Sequence, residues 1–396
     1  MPIHEANRMK RLPPYLFTLV DNWKKEVRAQ GKDVIDFSMG NPDFDPPKHV
    51  IDALKESMDM PEIHRYSKSD FSVEKKFRKA ISDWYKDRFN VDLDPDTEVL
   101  PCIGSKEGIA HLALAFMNFD DLALVPSPAY PVHFNGVIMA GGILYNIPLK
   151  EETGYLPDFF SLPKETVRLS KLLFLSYPHN PTAATCDLGF YEKVVKWVHD
   201  KNIIVASDLA YSDFVYDGRR AHSLLEVKEA RKHAIEFHTL SKSYSMAGWR
   251  VGFAVGNKEI LASLAKTKSY CDFGLFRGVQ VAATRALSGP QGYIKQILTK
   301  YKKRIDVFCD GINKISWETK KPKATFYVWT RIPARFSALT SMEFTELLIR
   351  ETGVAVAPGT GFGEYGEGYV RFALVVNEQR IQEALERIGA WLRIPD

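Results

Sequence analysis

Short apolar runs that alternate with amphipathic stretches dominate the chain between about residues 99 and 256. Four of these runs have the length and composition of strands buried on both faces: LALV from Leu122, LLFL from Leu172, IIVA from Ile203 and AIEF from Ala234. Between them, residues 190–200 (FYEKVVKWVHD) repeat apolar positions at the spacing of an α-helix. Strands that alternate with helices predict an α/β layer with a largely parallel sheet.

The pattern changes after about residue 290. Residues 294–312 predict a charged helix, residues 325–330 and 369–374 have the character of strands, and the chain ends on an amphipathic helix. A length of 396 residues exceeds the size at which one hydrophobic core stops growing, so two domains are expected. We predict a large cofactor-binding α/β domain over residues 46–288. The smaller α+β domain would combine residues 1–45 with residues 289–396.

Composition and charge are typical of a soluble globular enzyme. Hydrophobic residues make up 45% of the chain and charged residues 26%. The net charge of +4 is too small to indicate nucleic acid or an anionic membrane as a partner. Residues 122–149 contain no Asp, Glu, Lys or Arg, but four prolines interrupt any membrane-spanning helix there, namely Pro126, Pro128, Pro131 and Pro148.

The cysteines and the first residues favour a cytoplasmic protein. The start of the chain has no apolar core of a secretory signal. The four cysteines lie far apart, which predicts reduced thiols: Cys102, Cys186, Cys271 and Cys309. No metal-binding sequence pattern appears, so no metal is expected.

One lysine stands among hydroxyl side chains just after the AIEF run, in the stretch TLSKSYSMAGWRVG. Lys242 can form an imine with a carbonyl group, and Thr239, Ser241 and Arg250 can hold a phosphate dianion. An imine-forming amine beside a phosphate seat is what pyridoxal 5'-phosphate requires. Most lysines are solvated surface residues, but the position of this one after a buried strand favours the cofactor role. Its free amine would carry a proton between the substrate α-carbon and the cofactor.

Polar residues follow two further strands. Asn180 comes after LLFL and Asp208 after IIVA, so with Lys242 three functional groups follow the ends of strands, where open α/β sheets bind ligands. Asp208 either caps the next helix or pairs with the pyridine nitrogen, which keeps the cofactor an electron sink. Tyr211 and Asn180 would donate hydrogen bonds to the phenolate oxygen O3' and lower the pKa of the imine. Asn-Pro on its own is a common turn.

Two segments supply further binding groups. Gly104, Ser105 and Lys106 precede an apolar helix predicted over residues 109–119, and its N-terminus forms either an anion seat or a plain cap. Tyr130, in PSPAYP, would stack on the cofactor ring or pack in the core.

Arg371 lies in the strand-like stretch GYVRFAL, where a charged side chain needs a partner. That partner is either a structural carboxylate or the α-carboxylate of a substrate, and the planar fork of donors on the guanidinium fits the second better. The preceding GTGFG is similar to a nucleotide loop, but no helix follows it, so turn chemistry is the better interpretation.

With these residues in order, the chain resembles the class I/II aminotransferases, pyridoxal-phosphate enzymes of the aspartate-aminotransferase fold, over nearly its whole length. The resemblance implies that Lys242 is the Schiff-base lysine and that Lys242, Asp208 and Tyr211 are catalytic. It implies a cofactor-binding set of Gly104, Ser105, Lys106, Tyr130, Asn180, Asp208, Tyr211, Thr239, Ser241, Lys242, Arg250 and Tyr66. The implied substrate-binding set is Gly40, Asn180, Arg371 and Tyr15.

Two of these residues come from the resemblance alone and carry structural implications. Gly40, in SMGNPDF, matches a glycine whose backbone approaches the substrate carboxylate. Tyr66, in HRYSKSD, matches a tyrosine that reaches the cofactor phosphate of the neighbouring subunit, which implies a homodimer with shared active sites.

The chain departs from the family pattern in two places. After Tyr66 the family has a glycine and then a Leu-Arg pair, whereas this chain reads SKSDFSVEKKFRKAI. The family's NPTG is NPTA here, which costs little if φ at Ala183 is negative.

Within the family, the motifs are most similar to those of bacterial alanine (glutamate–pyruvate) aminotransferases. We therefore predict a ping-pong transfer between an L-amino acid and a 2-oxo acid, with alanine and 2-oxoglutarate as the preferred pair. The alternatives are LL-diaminopimelate aminotransferase, aspartate aminotransferase and a C–S lyase of the same fold. A regulator that binds the cofactor without turnover would need a DNA-binding module, for which no residues are left. Arg277, in DFGLFRG, is the nearest candidate partner for a side-chain carboxylate of the substrate.

Overall fold

The computed structural model describes residues 3–67 and 72–393, so part of the divergent loop after Tyr66 lies outside the described residues. The described strands are β1 (Ile35–Asp36), β2 (Val99–Cys102), β3 (Leu122–Ser127), β4 (Ile143–Pro148), β5 (Ser170–Leu175), β6 (Ile204–Asp208), β7 (Ala234–Thr239), β8 (Gly252–Gly256), β9 (Tyr327–Arg331), β10 (Val354–Ala355), β11 (Ala357–Pro358) and β12 (Tyr369–Ala373).

The helices of the same ranges are α1 (Asn7–Lys10), α2 (Leu16–Ala29), α3 (Lys48–Ser57), α4 (Ser72–Phe89), α5 (Ser105–Phe116), α6 (Val132–Ala140), α7 (Lys164–Leu169), α8 (Leu188–Val198), α9 (Leu240–Ser243), α10 (Lys258–Cys271), α11 (Arg277–Ser288), α12 (Gly292–Lys314), α13 (Ser341–Thr352) and α14 (Glu378–Leu392). None of these helices combines the length and the apolar character needed to cross a bilayer.

The large sheet has seven strands in the order β2-β8-β7-β6-β5-β3-β4. Strands β7, β6, β5, β3 and β4 are parallel, while β8 is antiparallel to both of its neighbours. The four apolar runs of the sequence form β3, β5, β6 and β7. The predicted α/β class with a mostly parallel sheet is therefore confirmed.

Helices cover both faces of this sheet, which is why its central strands carry apolar residues on both faces. Alternate residues of β5 enter different cores. Leu172 and Phe174 pack with residues of α5, α6 and α10, whereas Leu173 and Leu175 pack with residues of α4, α8 and α11. The period of two that separates the two faces of a strand thus divides one apolar run between two cores.

A smaller sheet holds the last part of the chain together. Strands β11, β12 and β9 form this sheet and are antiparallel in that order, while β1 and β10 form a separate parallel pair. Apolar residues of α12, α13 and α14 pack against them, and Ile35 and Phe37 from the N-terminal part join the same core. Both strands and both helices expected after residue 290 are present. The division at residues 45/46 and 288/289 stays a prediction.

Helix α5 differs from the predicted range of residues 109–119. It begins at Ser105 and ends at Phe116. The polar first turn is helical because the Glu107 carboxylate reaches back and accepts a hydrogen bond from the Ile103 N–H at 2.8 Å. Such a contact from the third helical residue satisfies a backbone donor that precedes the helix. Met117, at the other end, is already extended.

Ala183 has a φ of 59°, so the negative φ on which a low cost depended is not found. The turn around it closes on itself: the Ala183 N–H donates to the His179 carbonyl oxygen at 2.8 Å, and the His179 N–H donates to the Ala184 carbonyl oxygen at 2.9 Å. This tight closure holds residue 183 in the left-handed region, where a side chain is strained.

Replacing Ala183 by glycine is expected to raise the free energy of unfolding by roughly 1 kcal/mol, because glycine removes the left-handed strain. Urea denaturation of the two proteins measures the difference. Ala184→Gly is the matched control, because Ala184 lies outside the left-handed region, and it should destabilise by about 0.4–1 kcal/mol. Equal destabilisation by both substitutions would contradict the strain argument.

Candidate active site

The carboxyl ends of β5, β6 and β7 meet at a cavity of about 230 Å³. Thirteen of the predicted site residues line it: Tyr15, Gly40, Ser105, Lys106, Tyr130, Asn180, Asp208, Tyr211, Thr239, Ser241, Lys242, Arg250 and Arg371. Residues from the N-terminal part, the large sheet and β12 thus converge on one space. Gly104 is not itself a lining residue but contacts the lining residue Arg250, and Tyr66 lies outside the cavity.

Lys242 lies in α9, the short helix that follows β7, and its amine Nζ donates a hydrogen bond to the Gly40 carbonyl oxygen at 2.6 Å. Burial lowers the pKa of this amine to about 7, assisted by the positive charges of Arg371 and Arg250 and opposed by the Asp208 carboxylate. An amine with this pKa is largely neutral slightly above pH 7, and the neutral amine is the nucleophile that forms an imine.

Asp208 ends β6 and is buried. One of its oxygens, Oδ2, lies 3.2 Å from Nε2 of His133, and the other, Oδ1, accepts a hydrogen bond from the Ala210 N–H at 3.3 Å. The His133 ring is buried and stacks on Phe174, with ring centroids 5.5 Å apart. The Asp208 carboxyl group is therefore fixed in the cavity lining by a histidine and a backbone N–H.

Tyr211 and Tyr327 join their hydroxyl oxygens at 2.6 Å. Tyr327 begins β9, and its hydroxyl lies against the backbone of Gly40, where a Cβ atom would be 2.0 Å from it. Gly40 therefore admits no side chain while Tyr327 keeps this position. Burial raises the pKa of Tyr211 well above its usual value, so its hydroxyl stays a proton donor at neutral pH.

Arg371 is almost fully buried in β12, with only 1% of its surface exposed. Its guanidinium donates to Oδ1 of Asn180 at 2.8 Å and to the Ser38 carbonyl oxygen at 2.8 Å. It also lies 4.2 Å from the centroid of the Tyr327 ring. Within the described residues its Nε has no hydrogen-bond partner, and its contacts to Asn180 and Ser38 include no carboxylate. A structural carboxylate is thus not what holds this arginine.

A concentrated set of anion-binding groups lies at the N-terminus of α5. Gly104 has a φ of 74°, and a Cβ atom there would be 2.6 Å from Nη2 of Arg250. Among the described residues, no side-chain hydrogen bond caps the N-terminus of this helix, and Ser105 and Lys106 of its first turn line the cavity. The free N–H groups and the helix dipole favour an anion beside the Arg250 charge.

The hydroxyls of Thr239 and Ser241 complete this end of the cavity. Oγ1 of Thr239 donates to Oγ of Ser241 at 2.8 Å and accepts from the Ser241 N–H at 3.1 Å, which caps α9. Beside Lys106, the half-exposed Tyr15 ring has its centroid 5.4 Å from the ammonium. Tyr130 lines the cavity next to His133, and the two rings are nearly perpendicular, with centroids 6.2 Å apart.

Two residues singled out in the sequence lie outside the cavity. Tyr66 is 72% exposed, and its ring lies 4.8 Å from that of Phe273. Arg277 is buried, and it donates to the Glu74 carboxylate at 2.9 Å and to the Glu62 carbonyl oxygen at 2.6 Å. Arg277 is therefore engaged in a structural ion pair away from the cavity.

A cluster of potential metal ligands also lies outside the cavity. Glu107, His111 and Asp272 have ligand atoms within 4.8 Å of one another. The Lys268 ammonium donates to Glu107 at 2.9 Å and to Asp272 at 3.1 Å. The single positive charge of Lys268 therefore already pairs with both carboxylates of the cluster.

Sequence reasoning missed three residues that shape the site: His133, Tyr327 and Ser38. His133 comes three residues after Tyr130, but a lone histidine in an apolar stretch gives no sign of its distant carboxylate partner. Tyr327 lies in a predicted strand and is indistinguishable there from a core aromatic residue. Ser38 contributes a carbonyl oxygen, which no side-chain pattern reports.

The sequence of the whole chain is similar to those of known aminotransferases. Residues 32–388 match the family described as aminotransferase class I and II. The LL-diaminopimelate aminotransferase of Aquifex aeolicus is 47% identical over 383 residues, which cover 97% of this chain and 98% of that protein. The glutamate-pyruvate aminotransferase AlaC of Escherichia coli is 44% identical over 392 residues, covering 99% of this chain and 95% of that protein.

A solved structure has the same fold over the whole chain. BacF of Bacillus subtilis superposes with a TM-score of 0.94 at 37% identity, covering 99% of this chain and 98% of BacF. A buried lysine with a pKa of about 7, a group of potential anion-binding residues and a buried arginine lie together in a chain whose full length matches known aminotransferases. The chain belongs to the class I and II aminotransferases, enzymes that use pyridoxal 5'-phosphate to move an amino group from an amino acid to a 2-oxo acid.

Proposed function

We propose that this enzyme takes its amino group from LL-diaminopimelate and delivers it to 2-oxoglutarate, using Lys242, Asp208 and Tyr211 as its catalytic residues. One observation carries the residue assignment: Lys242, with a pKa of about 7, shares a cavity with a buried arginine that no carboxylate of the described residues neutralises. Such a site is arranged for a reactive amine and an incoming carboxylate.

The residues present fit the cofactor. Arg250, Ser105, Lys106, Thr239 and Ser241, with the Gly104 backbone, would hold its phosphate, because they combine an arginine, hydroxyls and free N–H groups.

The groups around the ring would be supplied by the large sheet. Asp208 would face the pyridine nitrogen, Asn180 and Tyr211 would donate to O3', and Tyr130 would cover the ring. When bound, the cofactor supplies the carbonyl carbon and the electron-withdrawing ring that make the α-hydrogen of an amino acid removable.

Lys242 would move the proton. Its Nζ lies in the cavity and donates to the Gly40 carbonyl oxygen, so the amine is held in one direction. With a pKa of about 7 the amine both accepts and releases a proton near neutral pH, which is the condition for an efficient general base and acid.

Arg371 would bind the substrate α-carboxylate. Its Nη1 and Nη2 already donate to Asn180 and Ser38, and its Nε is buried without a partner in the described residues. A carboxylate would satisfy that donor and neutralise the buried charge, which makes the arginine selective for α-amino acids.

The choice of LL-diaminopimelate revises the preference for alanine drawn from the motifs. The Aquifex aeolicus relative, at 47% identity, is an LL-diaminopimelate aminotransferase, and relatives of 46% and 44% identity carry the same name. Alanine with 2-oxoglutarate is the second candidate, favoured by the 44% identity to AlaC.

We also propose that the active enzyme is a cytoplasmic homodimer. Exposed aromatic rings gather around the end of α10 and the segment after it: Tyr66, Tyr270 and Phe273, which are 72%, 86% and 67% exposed. An exposed apolar patch of this kind suits a protein interface. Tyr66 would then reach across to the cofactor phosphate of the partner subunit.

A panel of amino donors tests the substrate. With 2-oxoglutarate as acceptor, LL-diaminopimelate should give the highest kcat/KM and alanine a lower one. Arg371→Gln should lower kcat/KM roughly 10- to 100-fold for both donors, because both lose the charge-assisted hydrogen bonds to the α-carboxylate. Higher activity on alanine would favour the second candidate. Pyruvate and a free thiol from cystathionine, without amino transfer, would indicate the C–S lyase.

The proton affinity of Lys242 can be measured in the cofactor-free protein with an amine-acylating reagent and peptide mass spectrometry. The modification rate at Lys242 should rise with a midpoint near pH 7, whereas exposed lysines respond near about pH 10.4. Arg371→Gln removes a repelling cation and should raise the midpoint. Asp208→Asn removes the stabilising carboxylate and should lower it. The exposed Arg168→Gln is the matched control and should leave it unchanged. A Lys242 midpoint equal to that of surface lysines would refute the assignment.

Hybrid dimers test the shared site. Tyr66→Ala and Lys242→Ala proteins should each have little activity, because each lacks one component of both sites. After unfolding and refolding as an equal mixture, the hybrids regain one intact site per dimer, so activity should reach roughly a quarter of the wild-type value. Each variant refolded alone is the control. No recovery in a mixture shown to contain hybrids would argue against a contribution of Tyr66 across the interface.

A further inference from the structure

Tyr327 occupies a position between the main polar groups of the cavity. Its hydroxyl oxygen lies 2.6 Å from that of Tyr211, and this is the only hydrogen bond that either hydroxyl makes within the described residues. The Arg371 guanidinium lies over its ring. Only 2% of Tyr327 is exposed, so solvent does not compete for the hydroxyl.

The two hydroxyls share one hydrogen bond, and the number of protons decides what each can do. Each phenol carries one proton, and one of the two protons lies between the oxygens. If Tyr211 donated to Tyr327, it would have no proton left for a group in the cavity. If Tyr327 donates to Tyr211, the Tyr211 proton remains available. The direction in which the Tyr327 hydroxyl bonds therefore determines whether the Tyr211 hydroxyl can donate to a group in the cavity.

The surroundings favour donation by Tyr327. A cation over a phenol ring stabilises the developing negative charge of a donating hydroxyl, and the Arg371 guanidinium lies 4.2 Å from the Tyr327 ring centroid. Gly40 leaves no room on the other side of this hydroxyl, since a Cβ atom at residue 40 would lie 2.0 Å from it. The oxygen is thus confined to a position facing Tyr211.

We propose that Tyr327 is a positioning residue that donates its hydroxyl proton to Tyr211 and so reserves the Tyr211 proton for the cofactor oxygen O3'. This inference rests on the proposed function, in which Tyr211 is the donor to O3'. A hydroxyl that accepts a hydrogen bond becomes a stronger donor, because the chain of bonds is polarised in one direction. Tyr327 would therefore strengthen the Tyr211 contact without touching the cofactor itself.

The test measures the pH-dependent absorption of the bound cofactor in four proteins: wild type, Tyr327→Phe, Tyr211→Phe and the double variant. Hydrogen-bond donors to O3' favour its ionised form and lower the pKa of the imine, whose titration changes the absorption. Loss of a donor should therefore raise this pKa, called the absorption pKa below. Tyr211→Phe should raise it most and Tyr327→Phe less. The double variant should match Tyr211→Phe alone, because Tyr327 acts through Tyr211. For Tyr327→Phe we expect kcat/KM to fall about 3- to 10-fold, as for one lost neutral hydrogen bond.

Two controls separate positioning from packing. Tyr293→Phe removes a hydroxyl that bonds to Asp45 and Ser245 outside the cavity, and it should leave the absorption pKa unchanged. 3-Fluorotyrosine at position 327 keeps the ring and makes the hydroxyl more acidic, so it should lower the absorption pKa. This substitution also serves if Tyr327→Phe fails to fold.

The outcomes distinguish this inference from the proposed function. If Tyr211→Phe shifts the pKa and Tyr327→Phe does not, the positioning role is overturned and the function stands. If the shifts of the two variants add in the double variant, Tyr327 acts independently and the inference also fails. If Tyr211→Phe itself causes no shift, the assignment of Tyr211 to O3' fails, and the role of Tyr327 fails with it.

Discussion

The burial of the Arg371 guanidinium is the constraint on which the rest of the cavity depends. A cation removed from water is costly unless polar groups surround it. Here a side-chain amide from the loop after β5 and a carbonyl oxygen from the segment after β1 accept its hydrogen bonds. The arginine itself comes from β12, so its solvation requires three distant parts of the chain to meet. The same contacts leave a net positive charge directed at the cavity.

That charge also acts on the lysine. Arg371 and Arg250 both disfavour a proton on Nζ of Lys242, burial acts in the same direction, and Asp208 opposes them. The pKa of the amine is consequently held near 7 by groups from distant parts of the chain. Under the proposed roles, the groups that bind the substrate carboxylate and the phosphate thus also prepare the proton carrier. Binding and reactivity share one electrostatic field.

Much of the large sheet and of the cavity lining could be predicted from the sequence, because the relevant patterns lie within short segments. The apolar runs of β3, β5, β6 and β7 predict buried strands, and polar residues directly after such strands indicate a ligand site. The position of Lys242 after AIEF is such a signal. The start of α5 was predicted four residues too late. The residues before Ile109 are polar or small and lack an apolar helical pattern, although the Glu107 contact stabilises a helical turn there. Ala183 shows a different limit, since no neighbouring residue reveals that its turn closes in the left-handed region.

The sequence by itself determined the fold class, the parallel sheet and the residue types of a pyridoxal-phosphate site, because periodicity and strand-end chemistry are properties of short segments. Only the tertiary structure decided which groups face one another. Whether Arg371 has a carboxylate partner, whether Arg277 is free for a ligand, and which hydroxyl faces Tyr211 all depend on contacts between residues more than 100 positions apart. The spacing of residues along the sequence does not determine which distant side chains come into contact. Those contacts are set by the way in which the sheets pack around the common cavity.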